Sequence, residues 1–265
     1  MSKSPFITIL TAALNSGSTI KKTLESVRNQ TFQDMEHIVV DGGSRDETLD
    51  ILKEFENTYN LTWISEPDNG IADAMNKGID LATGDYILFL HSDDYLVNSS
   101  VLERASEYLG DRFDIFFFQV LHDIHGQNQV SSNRPLGWLT NFKMGSCHQG
   151  QLCSRKLFQR IGKFDTSFKI DMDYDLILRA YRAGASCNSV NMPLAVMRLI
   201  GISSRRDWKS LRERFDEERR VHFKNCTTIW MRLLYIVYWM MYLPYRKILH
   251  ALNPNKKVFA LDSFI

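Results

Sequence analysis

Residues 84–97 read GDYILFLHSDDYLV. The run from Tyr86 to Leu90 is apolar throughout, long enough for a buried strand and too short for a helix. It ends abruptly in His91, Ser92, Asp93 and Asp94. One reading is that Asp94 merely caps a turn or helix. The other is that the strand delivers its two carboxylates to a binding site.

The same unit of short run and helix recurs upstream. FITIL (6–10) precedes an amphipathic stretch over 18–29, with Ile20, Leu24 and Val27 on one face. HIVV (37–40) precedes a stretch over 46–57 that groups Leu49, Leu52 and Phe55. LTWIS (61–65) precedes a helix from about residue 70, with Ile71, Met75 and Ile79 on one stripe. Runs apolar on both faces, separated by amphipathic helices, predict an α/β fold: a Rossmann-like, mostly parallel central sheet flanked by helices. In such sheets ligands collect outside the carboxyl ends of the strands. Three predicted strand ends are polar: Thr11 and Asn15 after the first, DGGSRDE (41–47) after the second, and HSDD after the fourth. Acidic clusters at two of these ends favour a site over a cap.

The totals restrict the function. The 265 residues suffice for one large domain, or one domain with an extension. A net charge of +1 offers no global attraction for nucleic acid or an acidic substrate. The four cysteines form no CxxC pair, which fits reduced thiols inside a cell. MSKSPFITIL lacks a charged segment followed by a long apolar one, so no secretory leader is read and a cytoplasmic location is expected.

The chemistry narrows further. There is no GxxxxGK[ST] loop, and no GxGxxG follows the first strand. Two carboxylates in a tight turn suit a hard divalent cation, Mg²⁺ or Mn²⁺, of the kind that bridges protein carboxylates and substrate phosphates. The glycines of DGGS permit close backbone approach or positive φ, although an ordinary strand-to-helix turn would also use them. DMDYDLILRAYRAG (171–184) sets Asp171, Asp173 and Asp175 before a helix whose Leu176, Ile177 and Ala180 face the core, with Gly184 as its stop. The helix dipole accounts for one or two of these acids. A carboxylate opposite a metal–phosphate centre can act as general base. CHQGQLCSRKLFQRIGKFD (147–165) places His148 and Gln149 before a helix with Leu157, Phe158 and Ile161 on its apolar side.

Taken together, ITILTAALNSGSTIKKTLESVRNQTFQDMEHIVVDGGSRDET, SEPDNGIADAMNKGIDLATGDYILFLHSDD, HQGQLCSRKLFQRIGKFD and DMDYDLILRAYRAG resemble a family 2 glycosyltransferase of the GT-A fold, over about residues 5 to 200. VVDGGS and EPDxGIxDAMNKG are similar to the bacterial colanic-acid and O-antigen branch. The resemblance implies inverting transfer of a sugar from a nucleotide-diphosphate donor with a divalent metal. It places Thr11 and Asp41 near the nucleotide, Asp73 near the donor, and Asp93 with Asp94 in the metal-binding DxD-type position. It makes Asp173 the base of an "ED" motif and puts His148 and Gln149 on the acceptor side. Three positions depart from the pattern: Gly42 where many members carry a second Asp, His91 where a full DADD has its first, and Met172 in place of Glu.

The resemblance divides the chain into a transferase domain over 1–202 and a helical extension over 203–265. The donor half of the domain is expected to end near 97. Residues 203–224 read as a charge-dense, solvated helix whose Arg205 and Arg206 could reach a phosphate. In 229–249, Tyr235, Tyr238, Trp239 and Tyr242 share one helical face, with Leu234, Val237 and Met241 on another. Arg232 and Pro244 crowd a segment too short to span a bilayer. An in-plane helix on an anionic membrane surface, anchored by Arg246, Lys247, Lys256 and Lys257, competes with packing on the domain and with dimerisation. The leading expectation is therefore an enzyme of cell-surface polysaccharide synthesis, peripheral on the inner membrane, acting on a lipid-linked saccharide. The competing one is a catalytically silent nucleotide-sugar-binding partner of another transferase.

Overall fold

The computed structural model describes residues 6–124, 127–198 and 207–252. The first half follows the expected alternation. Strands β1 (Ile7–Ala13), β2 (Met35–Asp41), β3 (Leu61–Ser65) and β4 (Tyr86–Phe89) alternate with helices α1 (Ile20–Arg28), α2 (Thr48–Phe55) and α3 (Ile71–Leu81). The four strands are parallel in the order β3-β2-β1-β4. Side chains of β4 alternate across the sheet: Ile87 and Phe89 join one core cluster, Tyr86, Leu88 and Leu90 the other. This is why an all-apolar run was needed there. Ile71 departs from the expected stripe: it stays exposed, while Ala72, Met75 and Ile79 are buried.

The second half contains strands that the sequence reading did not assign. β5 (Tyr95–Leu96), α4 (Val101–Ser106), β6 (Ile115–Ile124), β7 (Gln127–Val130), β8 (Gln151–Ser154), α5 (Arg155–Ile161), α6 (Met172–Arg182) and β9 (Cys187–Arg198) follow in order. β8 runs antiparallel to β4 and extends the sheet through β6 and β9 to β5, with β7 paired to β6. The sheet is thus parallel in its first half and mixed in its second.

Helices α7 (Trp208–Lys224) and α8 (Ile229–Leu252) complete the chain as described. The boundary expected at residue 202, together with Arg205, Arg206, Lys256 and Lys257, lies outside the described residues. α7 is not merely a solvated face: Leu211, Phe215, Glu217, Glu218, Val221 and His222 are buried. The aromatic stripe of α8 packs inward on it. Tyr235 stacks on His222 with ring centres 4.5 Å apart, and Trp239 Nε1 donates to His222 Nδ1 at 2.9 Å. The remaining ring nitrogen, Nε2, lies 2.8 Å from the Tyr174 hydroxyl, which itself donates to Thr140 O. Burial lowers the His222 pKa to about 3, so the ring is neutral and Nε2 carries the proton. The aromatic rings expected at a membrane therefore serve the core. What α8 exposes is another apolar face, with Trp230, Val237, Met240 and Met241. Among the described residues no helix is long and apolar enough to cross a membrane.

Candidate active site

A cleft of about 1120 Å³ opens where the strand ends predicted it. The loop after β1 supplies Leu14, Asn15 and Ser16; the loop before α3 supplies Asp68 to Gly70; the turn after β4 supplies His91 to Asp94. The other side comes from Ser146 to Gln149, from Lys169, Ile170, Met172 and Asp173, and from Met197 and Arg198 at the end of β9.

The two glycines of DGGS do different things. Gly43 sits at φ +85°, where a side chain is strained, and a Cβ on Gly42 would collide with the Asp68 carboxylate. The close approach brings Asp68, within the quoted EPDxG stretch but given no role by the sequence reading, to the cleft wall.

Thr11 and Asp41 do not line the cleft. Thr11 is buried beneath it, its hydroxyl donating to Leu90 O at 2.6 Å and lying 2.9 Å from His37 Nε2. Asp41 is fully buried and shapes the turn: its Oδ2 accepts from Gly43 N, Ser44 N and Ser65 Oγ, and its Oδ1 accepts from Ser44 Oγ. Asp73 stands in the first turn of α3, where it accepts from Asn69 N at 3.0 Å; it braces the Asp68–Gly70 loop from behind. What the structure shows for these three is support of the backbone and loops around the cleft.

Asp93 and Asp94 are adjacent but not equivalent. Asp94 is 1% exposed; its Oδ2 accepts from Gln149 Nε2 at 2.8 Å and its Oδ1 from Arg198 N at 3.1 Å. Burial, reinforced by the Asp93 charge, pushes its carboxyl up to about 7. Asp93 is half-buried and lines the cleft, with a pKa raised by burial and opposed by Arg198 and His148. Beside them His91 is half-buried, with its Nδ1 buried and unpartnered, and its pKa is held well below the ordinary range, first by burial and then by His148.

The acceptor-side residues converge on one contact. His148 opens a 3-10 turn (His148–Gly150), and its Nδ1 lies 3.3 Å from Asp173 Oδ2 in the first turn of α6. Gln149 Nε2 is tied to Asp94, while its Oε1 has no hydrogen-bond partner among the described residues. Asp173 lines the cleft, whereas Asp171 and Asp175 do not. Asp171 caps α6 with its carboxyl held well above the usual range by burial, next by Glu218, then by Asp173. Asp175 is buried against Arg179 and Asn225. The basic side chains placed at the cleft are Lys169, Arg198 and Arg214. No local signal marks Arg198, the last residue of a strand recognisable only through its pairing.

Residues 8–171 match the family model described as Glycosyl transferase family 2. The chain belongs to that family. Among its relatives, a PGL/p-HBAD biosynthesis glycosyltransferase of Mycobacterium bovis (strain BCG / Pasteur 1173P2) is 33% identical over 186 residues, which cover 67% of this chain and 70% of that protein. Chondroitin synthase of Escherichia coli is 30% identical over 186 residues, but the shared part is 68% of this chain and 27% of the synthase. Among solved structures, Staphylococcus aureus TarS 1–349 in complex with UDP-GlcNAc superposes with a TM-score of 0.65 at 20% identity, covering 83% of this chain and 66% of that one. The mannosyltransferase PcManGT of Pyrobaculum calidifontis, with GDP-Man and Mn²⁺, superposes with a TM-score of 0.62 at 19% identity, covering 84% and 64%. This glycosyltransferase spans 39% of a longer TarS structure. Likeness at this identity shows a shared GT-A fold.

Proposed function

We propose that this family 2 glycosyltransferase moves a sugar, with inversion, from a nucleoside-diphosphate donor to a saccharide hydroxyl in the synthesis of a cell-surface glycan. One observation carries the reading. Asp93 from the end of β4 and Asp173 from the start of α6 line the same cleft, at the carboxyl edge of a parallel sheet. TarS with UDP-GlcNAc and PcManGT with GDP-Man support a donor of this class. The family relatives named for PGL/p-HBAD biosynthesis and as a chondroitin synthase support the product class.

Among the described residues, no three His, Cys, Asp or Glu side chains converge to hold a metal on their own. The carboxylates at hand are Asp93 and, oriented by its hydrogen bonds from Gln149 and Arg198, Asp94. That set fits a hard cation, Mg²⁺ or Mn²⁺, that keeps most of its positions for phosphate and water. When bound it would offset the charge that develops on the departing diphosphate.

The protein's own steps follow from placement. The acceptor oxygen attacks the anomeric carbon from the face opposite the diphosphate, and the C–O bond to the diphosphate breaks as the new one forms. Asp173 takes the hydroxyl proton, with His148 Nδ1 steadying the carboxylate. Arg198 and Lys169 add positive charge to the walls.

The acceptor in this reading is lipid-linked, and the enzyme rests on the cytoplasmic face of the inner membrane. The exposed side of α8 supports that: it presents Trp230, Leu233, Val237 and Met241, with Arg232 and Lys247 exposed on the same helix. The sequence from Asn225 to Leu252 contains no Asp or Glu, so nothing there repels an anionic surface. Incubating the purified chain with UDP- and GDP-sugars, Mn²⁺ and saccharide acceptors tests the reaction. The expected result is release of nucleoside diphosphate and an inverted linkage by NMR. A chain that binds donor without turning it over is the silent partner instead. A retained anomeric configuration rejects the single-displacement scheme.

A further inference from the structure

We propose that Glu217 and Glu218 of α7 are positioning residues for the transfer: they fasten the two loops that carry Asp173 and His148 and so set the contact between them. This rests on the reading of Asp173 as the base.

Glu217 is 8% exposed and faces the segment that enters α6. Its Oε2 accepts from three successive backbone N–H groups, Lys169 and Asp171 at 3.1 Å and Ile170 at 2.7 Å. Its Oε1 accepts again from Lys169 N and from Arg220. One ionised carboxylate thus gathers consecutive donors two residues before Asp173. Charge-assisted bonds of this kind are about twice as strong as neutral ones. Lys169, Ile170, Met172 and Asp173 all line the cleft, so the clamp sets a wall as well as one carboxylate.

Glu218, the next residue, is buried and reaches the other loop. Its Oε2 accepts from Lys143 Nζ at 2.9 Å. Lys143 immediately precedes the Met144–Gln149 segment, every residue of which lines the cleft. Successive residues on a helix point about 100° apart, so a Glu-Glu pair can hold two different loops. Both carboxylates are held by donors from the active-site loops, Glu217 by three backbone N–H groups and Glu218 by the Lys143 ammonium. The loops meet where His148 Nδ1 lies 3.3 Å from Asp173 Oδ2.

The test uses the full chain. Glu217→Gln preserves shape and removes the charge. Hydrogen exchange at the amides of 169–171 is expected to speed up about tenfold or more, while β1 and β4 stay protected. Binding of UDP and GDP should be unchanged, and kcat should fall about tenfold or more at constant donor KM, because small misplacements of a reacting group are costly. Glu217→Asp should recover part of the loss. Unchanged protection at 169–171, or protection lost throughout the sheet along with nucleotide binding, overturns the clamp. Should Glu217→Gln fail to fold, Lys143→Met decides: it removes only the second fastening, and an unchanged kcat sinks the proposal. If the wild-type protein turns over no nucleotide sugar, that failure belongs to the functional reading. The amide protection still decides whether the loops are clamped.

Discussion

Gln149 Nε2 donates to Asp94 Oδ2 at 2.8 Å, and this one bond separates the roles of two neighbouring carboxylates. It joins the turn after β4 to the turn before β8 and closes the floor of the cleft. Both line the cleft, but Asp93 is half-buried where Asp94 is held almost fully buried.

Metal-stimulated donor binding should therefore divide unevenly between the pair. Asp93→Asn is expected to weaken Mn²⁺-dependent binding of UDP or GDP by at least tenfold. Asp94→Asn should leave most of it, because Gln149 can turn its unpartnered Oε1 toward the new amide. Calorimetric titration of both variants, with and without Mn²⁺, checks this. Equal losses would mean that the pair acts as a unit.

Asp94 should also make stability depend on pH. Its folded-state pKa of about 7 lies above the ordinary 3.8, so the fold disfavours the ionised form. The contribution from protonated Asp94 is complete below 3.8 and is lost as pH rises through about 7. Each pKa unit corresponds to ~1.4 kcal/mol. Relative to wild type, Asp94→Asn should gain stability between about pH 4 and pH 8, by at least ~1 kcal/mol. Urea melts at the two ends measure it, and a pH-independent difference would contradict the cause assigned here.

Asp173→Asn should keep nucleotide binding and lose turnover by ~10²–10⁴-fold, the usual worth of a general base. Asp171→Asn should keep most activity, because Asp171 is buried at the helix cap with its carboxyl already pushed toward the neutral form. If the two variants behave the other way round, the base is Asp171.

The two faces of α8 should separate in mutagenesis. Val237→Glu with Met241→Glu alters only exposed positions, so melting should barely change, yet flotation with phosphatidylglycerol vesicles should be lost. Trp239→Ala removes a buried ring and the donor to His222, and should destabilise the protein by ~3–5 kcal/mol. Wild-type protein that never floats would assign the exposed face to something other than lipid.

The sequence alone determined the first half of this fold and the position of the site. The unbroken apolar run of β4 and the period-3.6 burial in α1 and α2 are local patterns, and the polar residues that interrupt them mark the strand ends. The approach of α6 and its Asp173 was legible for the same reason. What each polar residue does was not. Thr11 and Asp41 stand at strand ends yet turn inward, because their partners Leu90 and Ser65 come from neighbouring strands. Asp94 is set apart from Asp93 by Gln149, 55 positions away, and by the backbone of Arg198, 104 positions away. The aromatic stripe of α8 looked like a membrane face until His222 on α7 claimed it. A periodic pattern shows that a face is buried or that a group is polar. Only tertiary packing decides which partner meets it, because hydrogen bonds and desolvation depend on atoms that the chain brings together from far apart.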